Sequence, residues 1–226
     1  MVTRTTFDFS LPVIFLFVTY LCASIPFGVI IGKLFKGIDI RKTGSGNIGT
    51  SNAFRALGPV GGGAVFLLDA LKGFVPVFIG AGLMHKYNYP QAFVSVFVII
   101  AGITAILGHN YSIFLKFSGG KGVATSFGVF LGINWYIALI CLAIWGLTVL
   151  ISKISSLASI IAALSLPVMM LVFKQPPSYI IFAFLACGLA VYAHRSNIKR
   201  LLNGTELKMS TKEKKNVTEE ESSTDL

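Results

Sequence analysis

The chain has 226 residues, 54% of them hydrophobic and 12% charged, and its 19 lysines and arginines against 9 aspartates and glutamates give a net charge of +10. With a mean hydropathy of +0.78, and apolar runs that show no alternation of polar and apolar faces before Lys199, the composition excludes an ordinary water-soluble domain and reads as an all-α polytopic membrane bundle. The basic residues sit in short segments between the runs rather than on one helical face with aromatics, which excludes a nucleic-acid surface and assigns them to orientation in the bilayer.

The first run, Leu11 to Ile31, passes straight into Lys33-Leu-Phe-Lys36 without a small-residue cleavage site, so it is expected to stay as a span and not to be removed as a signal. Clear spans run from Ser10 to Lys33, Pro59 to Leu83, Gln91 to Leu115, Ile154 to Phe173 and Ser178 to Ala193, each near the ~20 residues that cross ~30 Å of hydrocarbon. The stretch Val123 to Ser152 is too long for one span and is interrupted at Gly132-Ile-Asn134, which splits it into helices over 121–133 and 135–152. Seven crossings put Lys33 to Arg55, Lys116 to Lys121, Lys153 and the basic C-terminal segment on one side, the cytoplasm, with the N-terminus, where Arg4 and Asp8 cancel, outside. Six would send His194 to Arg200 outward against the charge rule. Residues 1–207 form the membrane domain; 208–226 are polar, lack aromatics and are expected to be a disordered cytoplasmic tail. No internal repeat is visible, so the inverted-repeat signature of many transporters is missing.

Within the spans, Ser24, Gly28 and Gly32 form a small-residue stripe assigned to helix packing. Asp69 and Lys72, at i, i+3, are expected to pair inside the bundle, because either alone in lipid is costly. Cys22, Cys141 and Cys187 are widely separated and are assigned to packing.

Between Ala70 and Thr205 there is no aspartate or glutamate. That removes paired-carboxylate acid/base catalysis, carboxylate metal clusters and acidic proton relays, so no metal or cofactor is expected. Three polar islands remain. In the first, Thr43 to Arg55, Gly44, Gly46 and Gly49 free the backbone to turn, Ser45, Asn47, Thr50, Ser51 and Asn52 offer donors, and Arg55 supplies the charge for an anion; a helix-capping loop is the plainer alternative. In the second, Ser118-Gly119-Gly120-Lys121-Gly122 opens a helix whose free N–H groups and positive dipole end attract phosphate. It is not a nucleotide-binding P-loop, since glycine follows the lysine where Ser or Thr is required. Thr125 and Ser126 add hydroxyls one turn on, and His109 ends the preceding helix, where structural and functional roles both stay open. In the third, His194 and Asn197 share a helical face at the inner end of the last span. Ser155, Ser156 and Ser159 open the sixth span, and this cluster is a candidate to line the same site.

Taken together, GSGNIGTSNAFR, LLDALKG, GHNYSIFLKFSGGKGVAT and HRSNIKRLLNGTE, in this order between Ser24 and Glu206, closely resemble the PlsY family, the bacterial acyl-phosphate:glycerol-3-phosphate acyltransferases. The resemblance implies a seven-helix enzyme of the bacterial plasma membrane, with its site facing the cytoplasm. It would move a fatty acyl group from acyl phosphate to the 1-hydroxyl of glycerol 3-phosphate, giving lysophosphatidic acid and phosphate, and meet the soluble enzyme that supplies the acyl phosphate. It also implies that Ser45, Ser51, Arg55, Lys121, Ser159, His194 and Asn197 are site residues, of which Ser45, Arg55, Lys121, His194 and Asn197 are read as catalytic. Asn47, Ser51, Asn52, His109, Gly119, Gly120, Gly122, Thr125 and Ser159 are read as substrate-binding. Ser51 stands where threonine is usual, Ser118 where lysine is frequent, and Ser196 where an acid often follows His-Arg; these departures bear on substrate placement.

An acyl phosphate already carries a good leaving group, so alignment and charge stabilisation can suffice. None of the three histidines has an aspartate five positions on (Pro90, Phe114 and Lys199 stand there), so the HXXXXD pair of other glycerolipid acyltransferases is missing. His194 and Asn197 are expected to orient glycerol 3-phosphate while a substrate phosphate oxygen takes the proton. The alternative is a membrane transporter of a phosphorylated metabolite. A CDP-alcohol type phosphatidyltransferase would need several metal-binding aspartates.

Overall fold

The structure, a computed structural model, describes residues 9–209. Arg4, Asp8 and the tail from 210 onward lie outside the described residues. The first candidate span consists of α1 (Ser10–Ser24) and α2 (Phe27–Lys36). They break at Ile25-Pro26, because the proline holds Ile25 out of helical backbone at φ −58°, ψ 122°. α3 (Thr50–Lys86) is kinked at Gly58, whose φ of 81° and ψ of −174° suit only glycine. Residues 50–57 therefore turn aside as a short helix and Pro59 starts the spanning part, with its missing N–H cost-free at a helix start. Then follow α4 (Gln91–Asn110), α5 (Val123–Ile133), α6 (Trp135–Ser152), α7 (Ser155–Val172), α8 (Pro177–Ala193) and α9 (Arg195–Leu202).

The expected break near Gly132-Ile-Asn134 falls on Asn134, the one residue between α5 and α6. Its Oδ1 accepts from the Ile137 N–H at 3.2 Å and so caps α6. Among the described residues, five stretches are long and apolar enough to cross a bilayer: Ser10–Lys36, Thr50–Lys86, Gln91–Leu115, Trp135–Ser152 and Ser155–Val172. α8 and α9 add a sixth when taken together across their 59° bend. α5 has 11 residues, or ~16 Å. Its two ends nevertheless meet the two ends of the bundle. Asn134 Nδ2 donates to Gln175 Oε1, beyond α7, at 2.8 Å, and Lys121, before α5, donates to Asn197, beyond α8.

α5 packs chiefly on α3 at van der Waals distance from its backbone: a Cβ on Gly128 would stand 1.8 Å from the Ala70 carbonyl oxygen, and one on Gly73 2.1 Å from that of Thr125. Further out, Phe130 of α5 stacks on Phe182 of α8 with ring centroids 5.0 Å apart, both fully buried. Phe17, Phe78, Ile151 and Phe184 remain exposed on the outer faces, as expected where the solvent is lipid. The stripe of Gly28 and Gly32 packs, but against a loop and not another helix. Added Cβ atoms there would meet the carbonyl oxygens of Ile48 and Ile38 at 1.9 and 2.9 Å.

Asp69 and Lys72 form the expected buried pair at 2.9 Å. The break at Pro26 leaves the Ile25 carbonyl without a helical donor, and Lys72 Nζ donates to it at 3.1 Å.

Candidate active site

The three islands converge at the end of the bundle that carries the α4–α5 loop. Asn52, 1% exposed, organises the first. Its Oδ1 accepts from the Ser45 N–H at 3.0 Å, and its Nδ2 donates to the carbonyls of Ile40 and Asn47 at 2.8 Å each. Asn47 Oδ1 in turn accepts from the Gly49 N–H at 2.8 Å. Asn52, read from sequence as a substrate ligand, lines the cavity, and both ends of its amide are engaged in holding its own loop. Asn47 has its carbonyl end engaged likewise. Left-handed backbone at Gly44 and Gly46 (φ 53° and 69°) completes the turn, leaving Ser45, Ser51 and Arg55 along the cavity wall.

The second island differs from its sequence reading in mode. The Gly119 N–H donates to the Asn110 carbonyl at 3.0 Å and the Gly120 N–H to the His109 carbonyl at 3.1 Å. These donors are therefore not free for phosphate, and the expectation for Gly119 and Gly120 as backbone ligands is corrected: they fasten the turn to the end of α4. Gly120 also lies on the His109 ring, where a Cβ would come within 1.9 Å of Nε2. Gly122, at φ 74°, directs the chain into α5. Thr125 is corrected too: it is fully buried against α3 and absent from the cavity wall, which Ser126 lines instead. Lys121 is held inward and donates to Asn197 Oδ1. Burial outweighs the pull of Glu206 and, with the nearby charges of Arg200 and Arg55, lowers its ammonium to about 8.

At the third island, the ring of His194 contacts the Ala190 carbonyl through Nδ1 at 2.8 Å. A carbonyl only accepts, so Nδ1 carries the hydrogen and Nε2 is left as the acceptor. Burial, helped by the charge of Lys121, pushes this imidazole down to about 4, so it is neutral at pH 7. Asn197 Nδ2 donates to Glu206 Oε1 at 2.6 Å; the same oxygen accepts from Ser156 Oγ at 2.9 Å, and Oε2 from Arg200 Nε at 2.7 Å. Burial raises the Glu206 carboxyl, but the bonds from Asn197, Ser156 and Arg200 outweigh it and hold it below its ordinary value. Arg55 bonds the Leu207 and Lys208 carbonyls at 3.1 and 3.3 Å, so the chain beyond α9 crosses the mouth. Ser159 Oγ donates to the Ser155 carbonyl at 2.8 Å and accepts from Trp145 Nε1 at 3.1 Å.

These groups surround the polar end of an open cavity of about 1330 Å³, solvent at its mouth included, which continues as an apolar sleeve between α5, α6, α7 and α8. Phe127, Phe130, Leu142, Trp145, Leu166 and Ala186 line the sleeve, with Cys141 and Cys187 as further packing groups. A second, open polar pocket of about 520 Å³, solvent at its mouth included, lies alongside, lined by Ser45, Gly46, Asn47, Ser118, Gly119, Lys121, Ser196 and Arg200. The two share Ser45, Asn47 and Lys121. One polar site with an apolar tail and one wholly polar site, joined at a cation, suit a lipidic and a water-soluble anion held side by side.

A family model described as glycerol-3-phosphate acyltransferase matches residues 13–204. The chain belongs to the PlsY family of glycerol-3-phosphate acyltransferases. The glycerol-3-phosphate acyltransferase of Fusobacterium nucleatum subsp. nucleatum is 45% identical over 195 residues, 86% of this chain and 96% of that one. That of Trichormus variabilis is 43% identical over 204 residues, 86% and 90% of the two chains. The crystal structure of PlsY (YgiH), an integral membrane glycerol 3-phosphate acyltransferase, matches in its glycerol 3-phosphate form with a TM-score of 0.80 at 38% identity, covering 88% of this chain and 96% of that one. Its lysophosphatidic acid form gives 0.78 at 37%, covering 88% and 95%.

In this PlsY-family chain the wall holds Thr50, Ser155 and Ser156, which the sequence reading offered as donors or lining groups, and also Asp69, Trp145 and Glu206, which it did not place in the site. Glu206 was legible as the first acid after Asp69, within the third island. Thr50, offered as a donor in the first island, keeps its Oγ1 buried without a hydrogen-bond partner. The contact of Gly120 with His109 yields a prediction: Gly120→Ala is expected to displace a ring that has little room to move and to lower activity roughly 10-fold or more. Wild-type initial rates in Gly120→Ala would refute it.

Proposed function

We propose that the protein transfers a fatty acyl group from acyl phosphate to the 1-hydroxyl of sn-glycerol 3-phosphate, the first acylation in phospholipid synthesis. The observation that carries this reading is the meeting of the sleeved cavity and the polar cavity at Lys121. The acyl chain lies in the sleeve with its phosphate at Arg55 and Lys121. Glycerol 3-phosphate enters from the polar cavity, where Lys121 and Arg200 supply positive charge. The neutral His194 Nε2 accepts a hydrogen bond from the glycerol hydroxyl and, with Asn197, orients it.

The hydroxyl oxygen attacks the carbonyl carbon, the carbon–oxygen bond to phosphate breaks, and phosphate leaves with that electron pair. The hydroxyl proton goes to a phosphate oxygen, since the low basicity of His194 makes it a poor proton acceptor. Lys121 and Arg55 stabilise the charge gathering on the departing group.

The chain crosses the plasma membrane of a bacterium seven times, α5 being the short crossing, with the N-terminus outside and the site facing the cytoplasm. The meetings of Asn134 with Gln175 and of Lys121 with Asn197 support that count. Residues 1–207 are the enzymatic domain and 208–226 a cytoplasmic tail, and a soluble enzyme delivers the acyl phosphate.

The test is a mass-spectrometric assay of detergent-purified protein with palmitoyl phosphate and glycerol 3-phosphate. Lysophosphatidic acid is expected from acyl phosphate and not from acyl-CoA, because no adenine-recognition element or HXXXXD pair is present. Comparable turnover with acyl-CoA would overturn the donor assignment. No product with either donor would leave transport of a phosphorylated metabolite as the better reading.

A further inference from the structure

Asp69, Lys72 and His109 form a buried polar cluster that the proposed reaction does not use. Asp69 Oδ1 lies 2.9 Å from Lys72 Nζ and 3.6 Å from His109 Nδ1, and none of the three side chains is more than 4% exposed. An ion pair for folding needs only the aspartate and the lysine. Here the carboxylate also faces a histidine whose Nδ1 has no hydrogen-bond partner. At 3.6 Å the contact is electrostatic and not a hydrogen bond, but in a low-dielectric interior it still orients the ring. The carboxylate is itself anchored, because Lys72 is tied to the Ile25 carbonyl and lies over the Phe27 ring at 5.5 Å.

The far edge of the same imidazole meets the glycine turn. His109 Nε2 lies under Gly120, with room for no Cβ, and the His109 carbonyl accepts the Gly120 N–H. Lys121 is the next residue, and its ammonium reaches Asn197. We infer that Asp69 is a positioning residue for acyl transfer: its carboxylate fixes the His109 ring, the ring and carbonyl of His109 fix Gly120, and Gly120 sets the direction in which Lys121 enters the site. This rests on the reading of Lys121 as the group that holds a substrate phosphate.

The experiment measures kcat, KM and the pH–rate profile of the full chain in detergent. Asp69→Asn alone leaves Lys72 charged and buried, so its folded yield is expected to fall. Asp69→Asn with Lys72→Met removes both charges and is expected to recover yield. A pair that serves folding alone would then recover wild-type turnover as well. The positioning role predicts instead a kcat roughly 10-fold low, with KM changed less. It also predicts an alkaline limb moved up from the wild-type value of about 8 toward that of an ordinary lysine, as Lys121 turns toward solvent.

The charged and titratable groups facing Lys121 are Arg55 from α3, His194 after α8, Arg200 on α9, and Glu206. All are retained in these variants. His109→Gln leaves the ion pair intact, so it carries the test even if the double variant does not fold, and the same fall in kcat and the same shift are expected. Combining it with the double variant is expected to cost nothing further, since the changes lie on one path. Lys121→Ala separates the two possible failures. Near wild-type turnover in Lys121→Ala would sink the reading of Lys121. An impaired Lys121→Ala, beside double and His109→Gln variants that match wild type in kcat and pH profile, would sink the role of Asp69.

Discussion

Replacing Lys121 with alanine is expected to lower kcat at least about 30-fold with folded yield retained, which corresponds to roughly 2 kcal/mol or more of lost transition-state stabilisation. The ammonium is the one cation shared by both cavities, so it acts on charge that grows as phosphate departs. Lys121→Arg is expected to rescue poorly, because a planar guanidinium needs more room than an ammonium between Gly120 and Gly122. The same group gives opposite pH dependences for rate and stability. Its lowered value means that charge is lost as pH rises through about 8, and the rate is expected to fall there. Folding responds with the other sign. Between about 8 and the unfolded lysine value of ~10.4 the unfolded chain binds more protons, so stability from this group rises with pH. A rate that falls above pH 8 while the melting temperature holds or rises would separate loss of the ammonium from unfolding. Initial rates at saturating glycerol 3-phosphate provide the check, and near wild-type turnover in Lys121→Ala would show that the turn merely starts a helix.

The membrane bundle was legible because bilayer thickness acts on sequence directly, through runs of about 20 apolar residues and basic connecting segments. The pairing of Asp69 with Lys72 was legible for the same reason, since hydrocarbon leaves a buried charge few alternatives. The islands were recognisable as a site from their glycines, hydroxyls and cations. What sequence did not convey was which polar atoms were already in use. A free N–H at Gly120 and one donating to the His109 carbonyl look alike until the turn is folded against α4. Asn52 reads as an exposed donor until its amide is found closing its own loop. Thr125 and Ser126 are adjacent, and only the close approach of α5 to α3 determines which one faces the cavity. Trp145 carries no local signal; it joins the site because α6 and α7 lie side by side.

Glu206→Ala is expected to be the most destabilising single change at the site, at about 3 kcal/mol or more. Its side chain is 5% exposed and is bonded by Ser156 of α7, Asn197 and Arg200 of α9. Alanine would leave a partly buried guanidinium without its counter-charge and two donors without their acceptor. The Thr205 N–H bonded to the Arg200 carbonyl and the Met209 N–H bonded to the Lys153 carbonyl, both at 2.8 Å, would no longer be tied together through the acid between them. Asn197, released by Glu206, would no longer hold its carbonyl toward Lys121, so activity is expected to fall with stability. Glu206→Gln keeps an acceptor oxygen and the shape while removing the charge, and about 1 kcal/mol is expected, with part of the activity retained. The sign with pH follows from the lowered carboxyl. Its contribution is complete above the unfolded value of ~4.3 and is lost as pH falls through the still lower folded value. The melting temperature of Glu206→Gln should therefore lie below wild type by a constant margin from pH 5 to 7, with the gap closing only in stronger acid. A wild-type melting temperature for Glu206→Ala at pH 7, or a gap that closes already above pH 5, would show that the carboxylate does not bind α7 to α9.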